Sequence, residues 1–194
     1  MKRETSARLS LSPRNELGII AVHALSTWFM VGMIWTVHIV HYPLFAFVGN
    51  ETYEDFQAKH VDVIGRLLVA PWLVEGLSAL ALLLCLSGGL RKFAVIGALL
   101  MLSIMALSAF VSAPAHGELV NGFDLEVHSD LMLGNLIRSI LWTARGCVAA
   151  AIFQGHLQRK QRETYSHSRW RKPASDTAGH QDSAKEKGHK PGCW

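Results

Sequence analysis

Residues 93–113 read FAVIGALLMLSIMALSAFVSA, a run without a charge and apolar around its whole helical circumference. A soluble helix of that length normally keeps a polar face for water. Crossing the ~30 Å of bilayer hydrocarbon takes roughly 20 mostly apolar residues at ~1.5 Å each. The run therefore reads as a membrane span, and stretches 17–42, 67–86 and 131–153 have the same character. Within hydrocarbon, backbone groups must be satisfied inside the segment, so each span is a helix. The predicted fold class is all-α: a four-helix transmembrane bundle, up-down-up-down, over residues 17–155.

The flanks differ from this core. Residues 1–16 and 156–194 are polar and basic, and they supply most of the net charge of +4. Lys2, Arg3, Arg8 and Arg14 precede the first span, Arg91 and Lys92 sit in the 87–92 turn, and a further series runs from Arg159 to Lys190. The loop 43–65 has only Lys59, and 114–130 has no Lys or Arg. The positive-inside rule then places both termini and the middle turn in the cytoplasm and the other two loops outside. The expected location is the cytoplasmic (inner) membrane of a bacterium, as a multi-pass protein, with the first span uncleaved. The tail 156–194 has too few apolar residues to bury a core and is expected to be disordered. Its basic cluster from Arg159 to Lys172 is suited to anionic lipid rather than nucleic acid. Cys85, Cys147 and Cys193 show no CxxC spacing, so neither a disulfide framework nor a zinc motif is implied.

The last span carries two arginines in GNLIRSILWTARGC, residues 134–147. His128, Asn135, Arg138, Trp142 and Arg145 recur at helical spacing and make one polar seam. Charges in a span face the bundle interior or a cavity and need partners. Glu75 is the acidic residue deep in the second span. Counting from the outer edges puts it level with Arg138, so a Glu75–Arg138 pair is expected, with Arg145 reaching either a ligand or the cytoplasmic headgroups.

The first span ends WTVHIVHYPLF. Pro43 is expected to stop it near Tyr42, and Pro114 to close the third span in the same way. Segments ETYEDFQAKHVDVIGR and GELVNGFDLEVHSD are then short amphipathic helices capping the outer mouth. His38 and His41, three residues apart, are expected to point the same way, and His60, His116 and His128 lie on the same side of the membrane. Imidazoles can ligate metal, bind haem or move protons near neutral pH. Bis-histidine haem needs facing rings at equal depth, and the second and third spans as bounded above hold no histidine. The residues single out no cofactor.

The pattern WTVHIVHYPLF, YEDFQAKHVDVIG, APWLVEG, APAHGELVNGFD and HSDLMLGNLIRSILWTARG resembles a group of small bacterial four-span membrane proteins of unassigned function. More remotely, the four-span plan with a Trp/Arg-bearing last helix is similar to the anthrone-oxygenase-like membrane proteins, whose members include cofactor-independent oxidases of polyketide aromatics. The resemblance implies the fold and setting, and carries no catalytic residue across. The functional expectation is an outward-facing polar pocket acting on a lipophilic molecule. His41, His60, His116, His128 and Arg138 are the candidate catalytic residues, and His38, Tyr42, Glu75, Asn135, Trp142 and Arg145 the candidate ligand-binding residues. Histidine would be acid or base, and Arg138 would stabilise developing negative charge. The alternatives are a non-enzymatic binding or transport unit, which four helices would build as a homo-oligomer, and an accessory subunit.

Overall fold

The computed structural model describes residues 12–170, and among them the chain is helical with no strand. Helix α1 spans Pro13–Thr36, α2 Asn50–Cys85, α3 Gly88–Leu107, α4 Ala113–Leu119 and α5 Leu125–Trp170. They make four rods long and apolar enough to cross a membrane: Pro13–Phe47, Asn50–Cys85, Gly88–Leu119 and Leu125–Ser166. The chain is an all-α four-helix bundle by this packing. The described residues divide into two compact units, the bundle up to His156 and the helical stretch 157–170.

Local chemistry sets the ends. Ser12 caps α1 by accepting from the Asn15 N–H at 3.3 Å, with Pro13 in the first turn, where its missing N–H costs nothing. Asp124 caps α5, its Oδ1 taking the Val127 N–H at 2.9 Å. Between α2 and α3 the chain reverses through Leu86 and Ser87, and Gly88 at φ +61° makes the corner that other residues resist.

The prolines do not end the rods as expected. After α1 the helix widens into a π turn at Val37–His41, closed by Tyr42 N–H to Val37 C=O, then tightens into a 3-10 segment at Tyr42–Phe47. The third rod repeats the device: a π turn at Ser108–Ser112, closed by Ala113 N–H to Ser108 C=O, leads into α4 with Pro114 in its first turn. A one-residue widening re-pairs the carbonyls that proline strands, so the rod bends instead of stopping. Helix α2 runs through Pro71, and residues 50–65 continue that helix rather than forming a separate cap. Helix α5 passes the expected boundary at 155 and continues to Trp170. The remainder of the predicted tail, and Cys193, lie outside the described residues.

Three buried apolar clusters stack along the bundle. Tyr42, Phe45, Tyr53, Ala115, Leu119 and Leu131 fill one end. Met30, Val31, Met101, Ile104 and Trp142 fill the middle, and Ile20, Leu82, Leu86, Ala94 and Ile152 the other end. The surface inverts the soluble rule. Leu25, Leu77, Leu102 and Phe110 are exposed while Thr27, Gln57, Glu75, Asn135 and Arg145 are buried. That distribution suits hydrocarbon as the surrounding solvent.

Candidate functional site

The seam of α5 faces inward as its spacing requires: His128, Asn135, Trp142 and Arg145 are buried and Arg138 is half-buried, while Leu133, Ile137 and Ile140 face out. Ser139 joins the seam, fully buried. Its polar groups divide between two places.

The first is a closed ion pair in the bundle. Arg145, not Arg138, meets Glu75: Nε lies 3.0 Å and Nη2 2.7 Å from Oε2. Ser26 Oγ and Thr27 Oγ1 each donate to Glu75 Oε1 at 2.6 Å, and Arg145 Nη1 donates to the Gly97 carbonyl. Both ionic side chains are essentially inaccessible, at 0% and 1% exposure. Four of these contacts bring a donor to the acceptor-only carboxylate and the fifth gives the guanidinium a backbone carbonyl, so both charges are hydrogen-bonded. One turn away on α1 and α2, His23 Nδ1 lies 2.9 Å from Ser78 Oγ. The expected Glu75–Arg138 pairing fails because depth counted from loop edges presumes spans that start there. Helices α2 and α5 begin well beyond those edges, and packing sets their register. His23, Ser26, Thr27 and Ser78 were not among the expected residues. Their signal was available in polar side chains at one-turn spacing in AVHALSTWF and VEGLS.

The second place is the end bearing the histidines. The structure gathers His41, His60, His116 and His128 and leaves out His38. His41 Nε2 and His60 Nδ1 are 2.9 Å apart, and the His60 and His116 ring centroids are 5.1 Å apart. Phe45 sits among them, its ring 5.0 Å from His60 and 6.1 Å from His128. His38 packs edge-on against Trp35 at 5.9 Å, with its Nδ1 buried and unpaired. The shared direction expected for His38 and His41 presumed α geometry. In a π turn three residues advance less than a full turn, so the rings diverge.

Proton positions follow from the partners. A carbonyl only accepts, so His128 Nε2, 2.9 Å from the Tyr42 carbonyl, carries a hydrogen there. Gln57 Nε2 donates to His116 Nδ1 at 2.9 Å, which leaves His116 Nε2 as the donor to the Tyr42 phenol oxygen, also at 2.9 Å. The Tyr42 hydroxyl proton is then free to point elsewhere, and Tyr42 lines a cavity with Arg138, Ser108, Trp72 and Trp142. The two indoles meet edge to face at 6.4 Å. The cavity measures about 50 Å³, room for a few waters or a head group.

Buried polar atoms without partners concentrate here. Tyr53 Oη, Gln57 Oε1 and His60 Nε2 follow one another along one face of α2, and Ser112 Oγ, Asn135 Nδ2 and Arg138 Nε complete the set. A buried unpaired polar atom costs roughly 1–3 kcal/mol, so a water or polar ligand bonded to these atoms would stabilise this end. Among the described residues no three His, Cys, Asp or Glu side chains are disposed to hold a metal ion. At the opposite end, His156 Nδ1 lies 3.2 Å from Glu16 Oε1, a contact the sequence reading did not include. No known protein family matches this chain, and neither a curated protein nor a solved structure does.

Proposed function

We propose that the chain is a multi-pass protein of the bacterial cytoplasmic membrane that binds a lipophilic small molecule at its histidine end and exchanges a proton with it. The observation that carries this reading is the contact series Gln57–His116–Tyr42, which leaves the phenol proton free on a residue that lines a cavity walled by Trp72 and Trp142. A hydrogen-bonded phenol backed by imidazole is a general acid, and in reverse a general base. The His41–His60 pair stands beside it, and His41 and His60 also border an open pocket with Phe56 and Lys59. In this reading that pair links the buried acid to the surface. The Lys/Arg pattern favours both termini in the cytoplasm and the histidine end outward.

The small cavity favours a second reading, a non-catalytic binding or accessory subunit, in which only a head group enters. One experiment addresses both. The protein is purified in lipid nanodiscs, and its extracted small molecules are compared by mass spectrometry with those of empty nanodiscs. A ring-bearing lipophile is expected to be enriched, His116→Ala is expected to retain it while failing to convert it, and Tyr42→Phe is expected to fail to convert it. Absence of any enriched molecule from a stable protein overturns both readings. Conversion unaffected by either variant overturns the acid–base reading alone.

A further inference from the structure

The two arginines of α5 are treated differently by the fold. Arg145 has a carboxylate and a carbonyl, whereas Arg138 has neutral company only: Asn135 Oδ1 at 2.8 Å, Ser108 Oγ at 3.3 Å and the phenol of Tyr42, to which it hydrogen-bonds. Its Nε is buried and unpaired, as is Nδ2 of the fully buried Asn135 beside it. A guanidinium cannot shed its charge, and within a bundle an anion is the partner that offsets that charge most fully. We infer that the Arg138 cavity binds the anionic head of a lipophilic acid, a carboxylate or phenolate on an apolar body, that enters sideways from the bilayer.

The donors suit such a head. Arg138 and Tyr42 Oη–H reach one small cavity and can donate there, Ser108 holds the guanidinium by accepting from it while donating to the Ile104 carbonyl, and no carboxylate lines the cavity. The apolar body has a place as well. A wide open groove on the lipid-facing side of α1 and α2, lined by Trp28, Phe29, Gly32 and Val40 among others, shares Met33, Val37 and Ile64 with the cavity wall. Three apolar side chains, one a flexible methionine, therefore separate hydrocarbon from the arginine. The head seats in the cavity and the body lies in the groove, which explains how a cavity of about 50 Å³ can serve a larger molecule.

This inference rests on the cavity being a ligand site, and its test is independent of any turnover. Binding of 2-naphthoate and of its neutral counterpart 2-naphthamide is measured by equilibrium dialysis against protein-bearing and empty nanodiscs. Saturable excess binding is expected for the acid, at least tenfold tighter than for the amide. Arg138→Met is expected to abolish that preference, and Arg138→Lys to keep most of it. A Cβ at Gly32 meets open space, so Gly32→Phe places its ring from an unobstructed position in the groove wall and is expected to weaken binding severalfold. Equal binding of acid and amide by the unaltered protein overturns the inference even if Arg138→Met fails to fold. So does an Arg138→Met protein that binds the acid unchanged. If the acid binds as expected while the Tyr42→Phe and His116→Ala proteins still convert the extracted lipophile, the anion site stands and the proton-exchange reading falls.

Discussion

At the scale of single residues, the buried Glu75–Arg145 pair separates cost from benefit. Each charge has given up its water, and the attraction between them mainly offsets that loss. The benefit is specificity: one carboxylate ties α1, through Ser26 and Thr27, to α2 and α5, and Arg145 extends the tie to α3 at Gly97. Removing one partner strands the other. Glu75→Gln and Arg145→Met are each expected to cost on the order of 3–5 kcal/mol, and the double variant less than the sum of the two. Thermal unfolding of the four proteins in one detergent measures this, and strictly additive losses would mean that the pair does not couple. Arg138→Met, by contrast, removes a charge that lacks a carboxylate and is expected to leave stability equal or raised.

At the scale of elements, helix contacts depend on small residues where rods approach. A Cβ on Gly134 would meet Val111 Cγ1 at 2.9 Å, and Val111, in the π turn, is stiff at χ1. Gly134→Ala is therefore expected to cost about 1–3 kcal/mol through overpacking. Gly18 and Gly76 have open space at the same position, and alanine there is expected to leave the melting temperature unchanged or raise it. If all three alanine variants melt alike, the approach of α5 to the third rod is looser than described. The same close approach matters to the site, because it sets Ser112 and Asn135 near the histidine end. The π turns matter in another way. By bending the rods at Pro43 and Pro114 without ending them, they bring Tyr42 and His116 together at 2.9 Å from two different helices.

At the scale of the whole bundle, polar groups inside and apolar groups outside make lipid the natural surroundings, and the flanking charges then choose a direction. With Cys85, Cys147 and Cys193 replaced by serine or alanine, Thr52→Cys and Glu118→Cys are expected to react with an impermeant thiol reagent in intact cells. Lys92→Cys is expected to react only after the membrane is opened. The reverse pattern would turn the histidine end toward the cytoplasm. It would leave the anion site intact, because that site depends on the cavity and not on which side it opens to.

The number of spans, the inward seam of α5 and the gathering of histidines at one end were legible in the sequence. Apolarity over 20-odd residues and helical period are local properties, and neither needs knowledge of a neighbour. The partner of Glu75 was not legible. Arg138 and Arg145 lie on the same stripe seven residues apart, so the stripe alone suits either one. The register between α2 and α5, which packing sets, puts Arg145 against the carboxylate and leaves Arg138 to the cavity. Likewise His38 and His41 share a face in an α-helix and part company in the π turn at Val37–His41. Charge and period are written along the chain, whereas which charge is neutralised and which is left for a ligand is decided only when the helices close.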